Sequence, residues 1–202
     1  MKPLYWFARL LTESFARAFL SLRIINREKL ITDGGAVVAC NHASFLDPPL
    51  VAVVCLSEVH FLARNTLFKG LFGTLIRNLN AVPVDRDQAD LKSMKTIIKT
   101  LRQGNRVLIF PEGTRTETGE LLDAKAGIGM LIAKGGVPVQ PIRLFGTYDA
   151  LPKGRGFQPH RVTAVVGDPI VFTEEELKVK SRDAYQAISD RVMNAIAALE
   201  EQ

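Results

Sequence analysis

His42 and Asp47 stand five positions apart in the stretch VVACNHASFLDPP, Val37 to Pro49. An imidazole held by a carboxylate keeps one tautomer, and its conjugate acid is stabilised as it accepts a proton. That is the equipment of a general base. At this spacing the two side chains share no face of a helix or a strand, so they meet only if the chain bends between them. Asp47-Pro48-Pro49 predicts such a bend. The same aspartate also suits the N-cap of a helix whose first position is Pro48. One carboxylate can serve an amide and an imidazole together, so the catalytic and capping readings both stay open. Ser44 lies two residues from His42, but nothing like a nucleophile elbow surrounds it and it is discounted.

Two more polar clusters could do chemistry. In Phe110-Pro111-Glu112-Gly113-Thr114-Arg115 the proline and glycine suit a tight turn, which by itself needs neither Glu112 nor Arg115. Arg115 offers a fork of donors for a phosphate, and Glu112 could accept from a substrate hydroxyl or hold an arginine. Arg86, in VPVDRD, is either a second phosphate ligand or an ordinary surface arginine. None of the three histidines, His42, His60 and His160, has a second His or Cys at metal-ligand spacing, so no metal site is expected.

These clusters need elements to position them. Short apolar runs alternate with helical patterns from residue 35 onward. GAVVAC, VHFLAR, NAVPVD, RVLIF, VPVQPIRLF and RVTAVVGDPI read as strands. Helices are predicted over DPPLVAVVCL, NTLFKGLFGTLIRNL, residues 88–103 with Gly104 closing them, AGIGMLIAKGG, and the C-terminal segment with Ser181 as N-cap. Alternating strands and helices imply an α/β layered domain with a mostly parallel central sheet flanked by helices. In such sheets functional loops gather past the carboxyl ends of strands. The clusters at Asn41-His42, Asp85-Arg86-Asp87 and Glu112–Arg115 all follow predicted strands.

The N-terminal stretch carries Leu4, Phe7, Leu11, Phe15, Phe19 and Leu22 at spacings of three and four, with Trp6 beside the stripe. Lys2, Arg9, Arg17 and Arg23 decorate the remainder. A basic helix with large aromatics on its apolar face suits a bilayer interface, with Trp6, Phe7, Leu11, Phe15 and Phe19 as the membrane contact. Packing on the domain's own core is the alternative. The expected division is a membrane-anchoring segment, 1–30, and an α/β domain, 31–202. No run approaches the ~18 apolar residues of a spanning helix. Arg9, Glu13 and Arg17 also interrupt the pattern of a signal peptide, so the segment is expected to remain part of the protein.

The 202 residues carry a net charge of +5, which favours an anionic partner such as a membrane surface, a nucleic acid or a phosphorylated substrate. Cys40 and Cys55 both lie in apolar runs, as expected of buried thiols in a reducing compartment rather than of a disulfide scaffold.

Together the clusters resemble the glycerolipid acyltransferase family, typified by the 1-acyl-sn-glycerol-3-phosphate acyltransferases. Its Asn-His-x-Ser-x-x-Asp block matches Asn41–Asp47, the arginine ending its second block matches Arg86, and Phe-Pro-Glu-Gly-Thr-Arg matches Phe110–Arg115. Its Val-Pro block matches VPVQP, Val137–Pro141. The resemblance implies that His42 is the general base and Asp47 its orienting partner, acting without a covalent acyl-enzyme, metal or cofactor. It further implies that Arg86, Glu112, Gly113, Thr114 and Arg115 bind a lysophospholipid acceptor. Val137, Pro138 and Pro141 would line the path of the acyl donor, either acyl-CoA or acyl carrier protein. The implied setting is one leaflet of a bilayer, on the cytoplasmic face, with phosphatidate as product and no nucleic acid involved. This chain departs from the family in Glu117, which stands where a basic group is common, and in the polar Gln140. Other readings are a different lysolipid acceptor such as a lyso-ornithine lipid, a hydrolase, and a non-catalytic binder of anionic lipid.

Overall fold

The computed structural model describes residues 2–84 and 91–201. Its centre is a sheet of seven strands: β1 (Arg23–Ile25), β2 (Ala36–Cys40), β3 (Val59–Arg64), β4 (Ala81–Val84), β5 (Arg106–Ile109), β6 (Val139–Phe145) and β7 (Thr163–Val166). Their order is β1-β7-β6-β2-β5-β3-β4. Strands β2 to β6 run parallel, β7 is antiparallel to β6, and β1 runs parallel to β7. The mostly parallel α/β architecture is therefore as the sequence implied.

Every residue of β2 is buried, as a central strand covered on both faces must be. The pleat sends Val38 and Cys40 to one layer and Val37 and Ala39 to the other. The first layer holds α1 (Pro3–Leu20) and α2 (Asp47–Val54); the second holds α4 (Leu91–Arg102), α5 (Ala126–Gly135) and α8 (Arg182–Ala197). A short helix, α3 (Gly70–Asn78), joins β3 to β4, while α6 (Thr147–Ala150) and α7 (Glu174–Leu177) are single turns. Helices α5 and α8 meet at Gly129, where a Cβ would lie 1.8 Å from the Tyr185 carbonyl oxygen. Ser181 caps α8 as expected, accepting from the amide of Ala184.

Three expectations about the first layer are corrected. The helical stripe stops at Leu20, because Ser21 turns left-handed (φ 45°), and Leu22 lies beyond it. Residues 23–25 instead form β1, and Leu30 is buried in the core, so the expected 1–30 segment divides near residue 21. Arg9 does not decorate the surface: its guanidinium donates to the carbonyls of Ala52 (3.3 Å) and Val53 (3.1 Å) at the end of α2. Arg27 donates to Val54 (3.0 Å) and Val53 (2.9 Å) beside it. Two cations thus satisfy carbonyls that a helix C-terminus leaves bare and complement its dipole.

These contacts orient α1. Its inner face is Tyr5, Ala8, Arg9, Thr12, Glu13, Ala16 and Leu20, largely small or polar. Its large apolar side chains, Leu4, Trp6, Phe7, Leu10, Leu11, Phe15 and Phe19, are exposed. A helix folded only for its own core would be reversed. No described helix is long and apolar enough to cross a membrane.

Candidate active site

The end of β2 lies between β6 and β5, and each neighbour supports it. The Asn41 side chain continues the ladder to β6, donating to the Leu144 carbonyl (2.9 Å) and accepting from the Leu144 amide (2.8 Å). His42 follows. Its backbone amide donates to Glu112 Oε1 (2.8 Å), at the end of β5, and its carbonyl accepts from the Thr116 amide (2.9 Å). The imidazole stacks on Phe110, centroids 3.8 Å apart and planes 12° from parallel.

His42 Nδ1 lies 2.8 Å from Asp47 Oδ2, and Asp47 is fully buried. The expected bend brings them together, but Asp47 does not cap α2. It is the first residue of that helix, after Leu46 at the N-cap position, and makes no capping bond there. Pro48 and Pro49 explain why: helix amides that would compete for the carboxylate are missing. The carboxylate turns back, and Oδ2 also accepts from the amides of Ala43 and Ser44, both at 2.7 Å. Because a carboxylate ion can only accept, Nδ1 carries the ring proton and Nε2 the lone pair. Nε2 has no hydrogen-bond partner among the described residues.

With this geometry in view, the comparisons with known proteins are decisive. The acyltransferase family model matches residues 21–144. The 1-acyl-sn-glycerol-3-phosphate acyltransferase of Bacillus subtilis is 30% identical over 191 residues, covering 91% of this chain and 92% of the relative. The chain belongs to the acyltransferase family. The chloroplastic 1-acyl-sn-glycerol-3-phosphate acyltransferase LPAT1 of Arabidopsis thaliana is 32% identical over 75% of this chain, which spans only 44% of that longer relative. The crystal structure of the 1-acyl-sn-glycerophosphate (LPA) acyltransferase, PlsC, from Thermotoga maritima matches with a TM-score of 0.76 and 28% identity, over 98% of this chain and 81% of that one.

Within this acyltransferase domain the remaining predicted residues separate. Gly113 closes the turn after β5 at φ +70°, donating its amide to the Phe110 carbonyl (3.0 Å); that backbone suits glycine. Gly113 and Thr114 are exposed, and the half-buried Arg115 holds its guanidinium 3.6 Å over the Phe45 ring. Glu112 is a different case. It is 1% exposed, and its oxygens accept from the His42 amide and from the Leu122 amide (3.2 Å). Glu112, expected as an acceptor ligand, here braces the loop that carries His42 against residue 122. Burial pushes its carboxyl up to about 7, although both amides pull the other way.

Val137 and Pro138 precede β6, at the end of the sheet opposite His42: Val139 pairs with Val37, whereas Ile142 pairs with Cys40. Pro141 lies within β6, against Gly167, where a Cβ would meet its ring. The expected donor path is thus not brought to His42. Gln140, polar but fully buried, accepts from the Ile31 amide and donates to the Gly167 carbonyl (2.9 and 2.7 Å). Arg86 lies outside the described residues. Ser44 braces the loop, donating to the Leu151 carbonyl (2.9 Å). Burial, then the charges of Asp47 and Glu112, push the Cys40 thiol well above its usual range, which makes it a poor nucleophile.

Sequence reasoning missed an apolar cleft of about 340 Å³ between α1, α2, β3 and α3. Ala8 and Thr12 of α1, Pro48 and Ala52 of α2, Phe61 of β3 and Ile76 of α3 line it. Phe45 also lines it, so the cleft adjoins both Arg115 and the start of α2. Leu71, Phe72 and Leu75 of α3 are exposed, and Phe72 also lines the cleft.

Proposed function

We propose that the chain transfers a fatty acyl group from a thioester, on coenzyme A or acyl carrier protein, to the free hydroxyl of 1-acyl-glycerol-3-phosphate, giving phosphatidate. The His42–Asp47 bond carries this reading, since it leaves Nε2 with a lone pair, while Phe45, on the same loop, lines the apolar cleft and lies under Arg115. Nε2 takes the acceptor hydroxyl's proton as its oxygen attacks the thioester carbonyl. The C–S bond then breaks, and the departing thiolate takes the proton back from the imidazolium. Asp47 stabilises that imidazolium. The step uses no metal and no cofactor besides the co-substrate thioester.

Arg115, Gly113 and Thr114 bind the acceptor's phosphate and glycerol end, with Arg86 as a further phosphate ligand. The cleft beside Pro48 receives an acyl chain, its volume lying within the range of small-molecule sites. The outward face of α1 lies on the cytoplasmic leaflet, with Trp6, Phe7, Leu11, Phe15 and Phe19 as contacts. This reading is supported by large apolar side chains crowding the exposed side of the helix.

The test is thiol release from palmitoyl-CoA and palmitoyl-acyl carrier protein, with lysophosphatidate, lyso-ornithine lipid or no acceptor. Release that requires lysophosphatidate supports the reading; equal release into water makes the chain a hydrolase. His42→Ala should abolish transfer without unfolding the domain, and near-wild-type turnover by that variant would refute the mechanism.

A further inference from the structure

The segment LPKGRGFQPHR, residues 151–161, contains Lys153, Arg155, His160 and Arg161 and no carboxylate. Two acids face it from elsewhere: Glu117 pairs with Lys153, and Asp149 Oδ2 lies 3.7 Å from His160 Nε2. Arg155 and Arg161 are exposed and pair with no carboxylate among the described residues. Between them, the Phe157 ring rests on α1, its centroid 5.3 Å from that of Phe15 and 6.4 Å from that of Phe19. The segment is thereby clamped to the stretch of α1 whose large apolar side chains point outward. Its other end meets the active-site loops: Ser44 donates to the Leu151 carbonyl, and Tyr148 Oη donates to the Glu117 carbonyl (2.8 Å). Built turns hold its shape, with Arg155 N donating to Pro152 O (3.2 Å) and Gln158 N to Ala150 O (2.8 Å).

We propose that residues 152–161 bind anionic phospholipid headgroups of the bilayer on which α1 lies, with Arg155 and Arg161 as the cations and Phe157 seated at the interface. The inference rests on the membrane reading of α1. An aromatic ring set between cations, continuous with an outward apolar helix, has the composition of an interfacial contact. A soluble acidic partner would account for the arginines but not for Phe157 joining the ring pair of Phe15 and Phe19. The arrangement holds anionic lipid beside the loops that carry His42 and Arg115, so headgroup charge would seat the mouth of the site as well as the helix.

The experiment is co-sedimentation of the full chain with vesicles of phosphatidylcholine alone, or mixed with phosphatidylglycerol, at low and high salt. The variants are R155Q/R161Q, R155K/R161K and F7S/L11S. Each cation near an anionic surface contributes ~1 kcal/mol, so R155Q/R161Q should bind the mixed vesicles about 25-fold more weakly and neutral vesicles nearly as well as wild type. R155K/R161K should restore binding, and high salt should erase the difference. Wild-type affinity of R155Q/R161Q for mixed vesicles overturns the proposal, as does equal loss on both vesicle types. So does unchanged vesicle binding combined with reduced turnover on acyl carrier protein thioesters, which would make the segment a donor dock. Undiminished binding by F7S/L11S would instead sink the membrane reading of α1, leaving the arginine comparison to judge the headgroup site separately.

Discussion

Asp47→Asn tests whether one carboxylate oxygen does what the geometry assigns to it. Oδ2 accepts three hydrogen bonds, from His42 Nδ1 and the amides of Ala43 and Ser44, and Oδ1 accepts none. Asparagine can place its oxygen at the Oδ2 position and keep all three bonds, but as bonds to a neutral group. A bond to a charged group contributes roughly 1 kcal/mol more than a neutral one, so three weakened bonds amount to about 3 kcal/mol. The amide nitrogen would then stand at the buried, unpartnered Oδ1 position, which adds to the loss. For a chain of this size the melting temperature should fall by roughly 6–12 °C. Catalysis should suffer separately, because a neutral amide no longer stabilises the imidazolium. Loss of assisted proton transfer lowers the rate by about 10²–10⁴-fold. Single-turnover thiol release well below the melting temperature, measured from pH 6 to 9, separates the two effects. A variant that melts early but turns over at the wild-type rate, with an unchanged pH profile, would make Asp47 a loop brace only and refute the reasoning.

Glu112 predicts a pH dependence of stability. Its carboxyl is pushed up to about 7 in the folded chain, so the stability it contributes is present below its ordinary value near 4.5 and is lost as pH climbs to about 7. The loss is about 3 kcal/mol, and Glu112→Gln, which cannot ionise, should flatten urea midpoints measured between pH 5 and 8. A level wild-type profile would mean that the native carboxyl is ionised throughout. Arg27→Ala should bare the Val54 carbonyl, leave that of Val53 to Arg9 alone, and lower stability by roughly 1–3 kcal/mol, read by urea denaturation. Ala52→Phe should fill part of the cleft, so turnover should fall more for palmitoyl than for octanoyl thioesters; a uniform fall would remove the cleft from the acyl path.

What could be read from the sequence followed from short-range rules. The His42–Asp47 meeting was legible because two prolines must bend the chain there, and the helical period of α1 because its apolar residues recur at helical spacing. Which face of α1 turns inward was not legible. That depends on the bare carbonyls of α2 capturing Arg9, a contact across 43 residues. Glu112 was recognisable as special by type, yet its role depends on β2 lying beside β5, which brings the His42 amide to its carboxylate. The VPVQP block was readable as a strand, but its place at the far end of the sheet follows only from the parallel register with β2. Strand β1 has three residues, too few to show alternation, and owes its existence to β7. The apolar cleft, assembled from four elements, has no local signature at all.

The pairing of β1 with β7 bears on how the chain is made. Arg23 pairs with Thr163, and the Leu20 carbonyl accepts from the Val162 amide, so α1 and β1 close onto a strand that leaves the ribosome only after β2 to β6. Helix α1 emerges with its aromatic face complete and its polar face without partners until α2 supplies the carbonyls of Ala52 and Val53. A lipid surface can take up the aromatic face during that interval, while the sheet waits for β7. On the proposed membrane reading of α1, chains truncated before Thr163 should sediment with vesicles while β1 is still unpaired.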